Sequence, residues 1–117
     1  MSASKFETAL ELITRVPGVR GAMLVSAADG VVVAEALMDE MKGAAVAALA
    51  ASLASRLRRS VEGAGRGAPR FMHLTASGGT LLAAPSGDEL ILVAVGERSV
   101  NAGLVRIEMF RALEILA

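Results

Sequence analysis

The stretch KGAAVAALAASLASRLRR, Lys42 to Arg59, constrains the fold more than any other part of the chain. The thirteen residues from Gly43 to Ser55 carry no charge, and three arginines, Arg56, Arg58 and Arg59, close the run. Its Ala and Leu content reads as helix, and the run is short of the 18 or more apolar residues that suggest a membrane span. A helix in water without charge on either side must bury its second side against protein. At about 100° per residue, Val46, Leu49, Leu53, Leu57 and Val61 share one sector. These are the large residues, and they are expected to face a sheet. Across the helix, Ala44, Ala48, Ala51 and Ser55 form a small-residue stripe suited to close approach by a symmetric partner. An alanine-rich exposed helix would need no partner, because Ala is the best helix former. An exposed helix, however, usually carries Glu and Lys on its open side, and this stripe has neither.

Magnitudes limit what the stripe can do alone. Burying its methyl groups across two copies supplies about 5–6 kcal/mol at ~0.8 kcal/mol each, against an association cost of roughly 4–15 kcal/mol. A second contact is therefore expected, and an edge strand beside the helix could supply main-chain hydrogen bonds to its own copy. The segment RFMHLTA, Arg70 to Ala76, is the candidate, which places Phe71, His73 and Thr75 in the expected interface.

The rest of the 117 residues reads as one domain, 1–117, with no internal repeat and no linker. SKFE, Ser4 to Glu7, has the spacing of a capping box and starts a helix with Phe6, Leu10 and Ile13 on one stripe; Pro17 and Gly18 stop it. Ala22 to Val25 and Val31 to Ala34 form a hairpin around Asp29-Gly30. The long helix runs from about Asp39 to Glu62 and ends at Gly63, before a GAGRGAP loop. Strands follow at Arg70 to Ala76, Thr80 to Ala84 and Glu89 to Val95, then a helix capped by Asn101 that runs nearly to Ala117. AMLV, VVVA, TLLAA and LILVAV are apolar at successive positions, so the sheet is expected to be covered on both faces. The expected class is α+β, order α-β-β-α-β-β-β-α, with one helix on one face and two on the other.

Composition excludes several functions. Lys plus Arg and Asp plus Glu both number 12, so no basic field for nucleic acid or an anionic membrane is present. The absence of Cys removes disulfides, thiolate metal sites and Cys nucleophiles. MSASKFETAL lacks the basic and apolar regions of a signal peptide, and a cytoplasmic protein is expected. The alanine and glycine bias, with ten Arg against two Lys, fits a GC-rich bacterial genome. GAGRG and SGGT lack the Lys-Ser/Thr of a P-loop and the strand-to-helix setting of a dinucleotide site, and read as turns. His73 is the only histidine, which leaves no multi-His metal site and no supported Ser-His pair. Asp29 reads as a turn former and the six Met as gap fillers. Arg56, Arg58 and Arg59 are either a solvated helix end or part of a partner surface. No catalytic, cofactor or metal residues are expected.

VPGVRGAMLVSAADGVVVAEAL, the Ala-rich helix, GGTLLAAPSGDELILVAV and NAGLVRIEMFRALEIL together resemble the Roadblock (dynein light chain seven) family in its small bacterial MglB-like form. The most specific pieces are Gly18 to Ala22, the Asp29-Gly30 turn and Asn101 to Glu108, in that order and spacing. The resemblance implies a Roadblock/profilin-like three-layer sandwich built on a five-stranded antiparallel sheet. It implies a homodimer through the middle helix and third strand, forming one ten-stranded sheet. It implies a non-enzymatic regulator or adaptor of a small Ras-like (MglA-type) GTPase, acting by reorganising the GTPase's own site and not by inserting an arginine. Some relatives that regulate GTPases continue past the third helix, where this chain ends at Ala117; the direction of regulation stays open. The expected partner surface is the dimer groove rimmed by Arg56, Arg58, Arg59 and Arg66. A dimeric scaffold or ligand-sensing module of the same fold, without a GTPase, is the alternative.

Overall fold

A computed structural model describes the backbone of residues 2–38 and 41–117, with side chains from residue 5 onward within those ranges. The elements are α1 (Ser2–Thr14), β1 (Val19–Ser26), β2 (Val32–Leu37), α2 (Gly43–Gly63), β3 (Met72–Ala76), β4 (Gly79–Ser86), β5 (Leu90–Gly96) and α3 (Ala102–Leu116). The strands form one antiparallel sheet in the order β2-β1-β5-β4-β3. The fold is α+β in the expected order, with the two terminal helices packed together on one face and α2 on the other.

Both sheet faces are dry, which is why the strands read as continuous apolar runs. Leu24, Leu82 and Leu92 point to the terminal helices and meet Leu10, Ile13, Val105 and Met109. Met23, Val25, Ala83, Ile91 and Val93 point to the α2 side. The sequence signals at the turns act as expected. Gly30, at φ +72°, closes the first hairpin with its N–H donating to the Ser26 carbonyl at 2.9 Å. Asn101 caps α3, its Oδ1 accepting the Leu104 N–H at 3.1 Å.

Three expectations about the helices are corrected. The backbone of α1 is already helical at Ser2, so Ser4 lies inside the helix and not at its cap; its side chain lies outside the described residues. Helix α2 begins at Gly43, with Lys42 at the cap position and no side-chain capping bond. Asp39 and Glu40, where the helix was expected to start, lie outside the described residues.

The third correction is to the face that α2 buries. Its buried residues are Gly43, Ala47 and Ala50, with Ala54 half-buried below them. Leu49 and Leu57, expected in the core, are 49% and 39% exposed, and Val46, Leu53 and Val61 flank the contact half-buried. The helix is thus rotated by roughly a quarter turn from the expected orientation. The reason is volume. The sheet itself supplies Met23, Val25, Ile91 and Val93 to this layer, and close packing leaves room there only for small helix residues. At Gly43 the approach is tightest: a Cβ would lie 2.6 Å from Glu35 Oε2 and 2.9 Å from Leu37 Cδ1.

Ala50→Leu should therefore overfill the layer and lower the unfolding free energy by about 1–3 kcal/mol. Ala45→Leu, on the exposed side, should stay within about 0.5 kcal/mol. Urea unfolding followed by circular dichroism measures both, and equal effects would contradict the observed orientation.

Candidate functional site: the outer face of the middle helix and the edge strand

Because the small residues of α2 are spent on the sheet contact, much of the rest of its first half faces outward. The exposed positions between Gly43 and Ser55 are Ala44, Ala45, Ala48, Leu49, Ser52 and Ser55, and none carries a charge. Of the expected interface stripe, Ala44, Ala48 and Ser55 are exposed. Ala51 is half-buried over the first hairpin turn, where a Cβ on Gly30 would stand 3.4 Å from its own Cβ.

Helix α2 packs on β2, β1 and β5. The expectation that the β3 edge lies beside α2 is corrected accordingly, since β3 sits two strands beyond β5. On the α2 side of the sheet, β3 presents Met72 and Leu74. Leu74 pairs with Leu81, which packs into the α2-side core, yet Leu74 is 43% exposed. An uncharged helix face and an apolar strand edge thus lie on the same side of the molecule.

The three β3-region residues expected in the interface face the other way. Strand alternation sets this: His73 pairs with Leu82, whose side chain belongs to the terminal-helix core. His73 and Thr75 are exposed and contact each other, Oγ1 to Nε2, at 3.2 Å. Phe71 packs against the terminal-helix core, its ring 5.8 Å from that of Phe110. The Arg106 guanidinium lies 5.2 Å from the Phe71 ring and 5.5 Å from the Phe110 ring, clamping the start of β3 to α3. Met72 and Leu74 are the residues that sequence reasoning missed; alternation about Phe71 and His73 was the signal that could have found them.

The expected partner-binding arginines divide as well. Arg58 donates from Nε to Glu62 Oε2 at 3.4 Å. With Ser55 and Met72 it also lines a pocket of about 270 Å³ between α2, the loop after it and the β4–β5 turn. Arg56 and Arg59 are exposed and do not line that pocket, and Arg66 is exposed on the loop between Gly65 and Gly67, both at positive φ. At the first hairpin, a hydrogen bond from the Ser26 side chain, aided by the Val31 N–H, holds the Asp29 carboxyl below its ordinary value. Among the described residues, no group of three or more His, Cys, Asp or Glu could hold a metal ion, and no helix is long and apolar enough to cross a membrane.

A five-stranded antiparallel sheet carrying one helix on one face and two on the other, with an uncharged outer helix surface, defines a three-layer domain of the Roadblock class. The Roadblock/LC7 domain model matches residues 5–96, and the chain belongs to that family. An uncharacterized protein of Methanocaldococcus jannaschii is 31% identical over 102 residues, 87% of this chain and 88% of that protein. A solved structure of MglB with a tetrameric arrangement matches with a TM-score of 0.85 at 25% identity, covering 97% of this chain and 88% of that one. The gliding protein MglB of Thermus thermophilus gives a TM-score of 0.86 at 23% identity over 97% and 87%. The family model stops at Gly96, while these structural matches take in α3.

Two expectations follow from the site. Arg106→Ala removes the cation between the two rings and should cost about 0.5–1 kcal/mol of stability in denaturant unfolding. Asp29, with its carboxyl pKa lowered by folding, contributes stability above the ordinary carboxylate range that is lost as pH falls through the lowered value. Asp29→Asn should therefore show a shallower loss of thermal stability on acidification than the wild type.

Proposed function

We propose that this chain is a non-enzymatic homodimeric adaptor, a single Roadblock-like domain that binds a small Ras-like GTPase and modulates its nucleotide cycle or its position. The observation that carries the reading is the uncharged outer face of α2 from Ala44 to Ser55, which leaves Leu49 49% exposed, with Leu57 39% exposed about two turns further along. The dimer we propose joins this face and the β3 edge to their own copies, with Ala44, Ala48, Leu49, Leu57 and Leu74 at the seam. Leu49, Leu57 and Leu74 are each about half exposed. Burying the six leucines of two copies adds on the order of 5–9 kcal/mol to the contribution of the alanines, enough to offset a typical association cost of roughly 4–15 kcal/mol. The tetrameric arrangement of the MglB relative supports self-association.

The GTPase reading comes from the family resemblance and the MglB likeness, and it gives Arg56, Arg58, Arg59 and Arg66 a role. They form a positive rim at the end of α2 that steers an acidic partner surface, an effect that appears mainly in the association rate. The same reading places the protein in the cytoplasm, where such a GTPase resides.

Leu49→Glu combined with Leu57→Glu should convert the dimer to a monomer in light scattering while leaving the helical circular dichroism unchanged. Arg58→Glu with Arg59→Glu should slow association with a small Ras-like GTPase, and slow it less at high salt, without dissolving the dimer. If that variant binds normally while Arg106→Glu or Arg111→Glu abolishes binding, the partner sits on the terminal-helix face. A wild type that is monomeric throughout the micromolar range would overturn the dimer.

A further inference from the structure

The sheet has a second open edge, β2, on the side away from β3. Natural edges are commonly blocked by Lys or Pro, and β2 (VVAEAL) has neither. Val31, just before it, and Val33, near its start, are 58% and 46% exposed. A bulge at Val33 shortens the regular ladder, since Val25 pairs with Val32 but Leu24 pairs with Ala34. From Ala34 to Leu37 the pairing with β1 is continuous. Just beyond it, Met38 donates its N–H inward to the Arg20 carbonyl at 2.8 Å. In an antiparallel ladder, inward and outward residues alternate, so Ala36 also turns its main-chain groups to β1. Glu35 and Leu37 turn theirs outward, to the open edge.

Next to this edge, between α1 and β2, runs a groove of about 460 Å³ lined by Phe6, Leu10, Val33 and Ala34, with Glu7 and Glu11 on its wall. Glu35 turns its carboxylate to the opposite face of the sheet, where its Oε2 lies against Gly43 at the start of α2. Glu11 meets Arg15 at 3.5 Å, but both side chains are largely exposed, and such a pair exchanges partners at little cost. An apolar channel beside outward N–H and C=O groups, flanked by carboxylates, has the chemistry of a strand-addition site.

We infer that the β2 edge binds an extended segment of another polypeptide whose residues alternate basic and apolar. The segment pairs its main chain with Glu35 and Leu37, lays its apolar side chains against Phe6, Leu10 and Val33 on the α1 face, and turns its basic side chains to the α2 face, toward Glu35, while Glu7 and Glu11 on the groove wall add to the negative field it meets. A second copy of this chain is the poorer occupant. It would bring the same glutamates against one another, and like charges across paired strands are destabilising. The inference does not rest on the proposed dimer or GTPase, because β2 lies at the edge opposite β3.

The test titrates the 15N-labelled full chain with an acetylated, amidated Arg-Val-Arg-Val-Arg-Val peptide and follows amide shifts and exchange. Shifts are expected on residues 31–37 and on α1 beside the groove, with slowed exchange at Glu35 and Leu37. Replacing the peptide's arginines by Glu, or its central Val by Pro, should abolish binding. Glu35→Pro removes one outward donor and should weaken binding about tenfold, while Glu35→Gln, which keeps the donor, should weaken it only about twofold. Should Glu35→Pro fail to fold, Glu7→Lys with Glu11→Lys, on the exposed side of α1, carries the test and should also reduce affinity about tenfold. Equal binding of the Glu peptide, shifts confined to α2 and β3, or unchanged affinity in the Glu7/Glu11 variant would overturn the inference. Concentration-dependent shifts at β2 without peptide would do the same, by assigning the edge to another copy. Loss of the homodimer alone leaves these readouts in place, so failure of the one proposal is distinguishable from failure of the other.

Discussion

The contact of Gly43, Ala47 and Ala50 with the sheet governs the rest of the molecule. It brings the α2 backbone down onto a layer already filled by Met23, Val25 and Val93, and close packing admits nothing larger there. The same approach fits Gly30 under Ala48 and Ala51, tying the first hairpin turn to the helix. Because the small side chains are consumed inside, the leucines are turned out. The apolar surface that we assign to self-association is thus a consequence of how the protomer packs its own core.

The layering was legible in the sequence because it depends on local rules. Strands apolar at successive positions require cover on both faces, and Gly30 and Asn101 mark a turn and a cap whose chemistry is short-range. The orientation of α2 was not legible by the same means. Helical periodicity identifies an apolar sector and assigns it to the core, a rule that assumes one dry side and one wet side. Here Leu49 and Leu57 lie a quarter turn from the sheet contact, and only the volume contributed by the opposing strands decides between large and small residues. That volume comes from Met23 and Val93, about 70 residues apart in the chain, so no local window contains it.

The expected interface residues divide for a related reason. Ala44, Ala48 and Ser55 are exposed on α2 as a partner contact requires, while Phe71, His73 and Thr75 lie on the terminal-helix side. A strand segment can be identified from its composition, but which alternate set faces which layer depends on pairing register. In β3 that register is set by the pairing of Leu74 with Leu81 and of His73 with Leu82. Phe71 is further held by Arg106 and Phe110, a long-range contact that no spacing along the chain announces.

Net neutrality conceals how charge is placed on this scaffold. Twelve positive and twelve negative side chains cancel in total, yet Arg56, Arg58, Arg59 and Arg66 gather at the end of α2 and the loop after it, while Glu7, Glu11 and Glu35 border the β2 edge. Screening at physiological ionic strength confines each field to about 8 Å, so each patch acts on what docks beside it and the overall charge acts on neither. The two open edges of one sheet are therefore chemically unlike. In the assembly we propose, the β3 edge is joined by an uncharged leucine surface that accepts its own copy, and the β2 edge is flanked by carboxylates that repel one. A short chain with a single sheet can in this way separate assembly from recruitment, because the sign of the charge beside each edge decides what may pair with it.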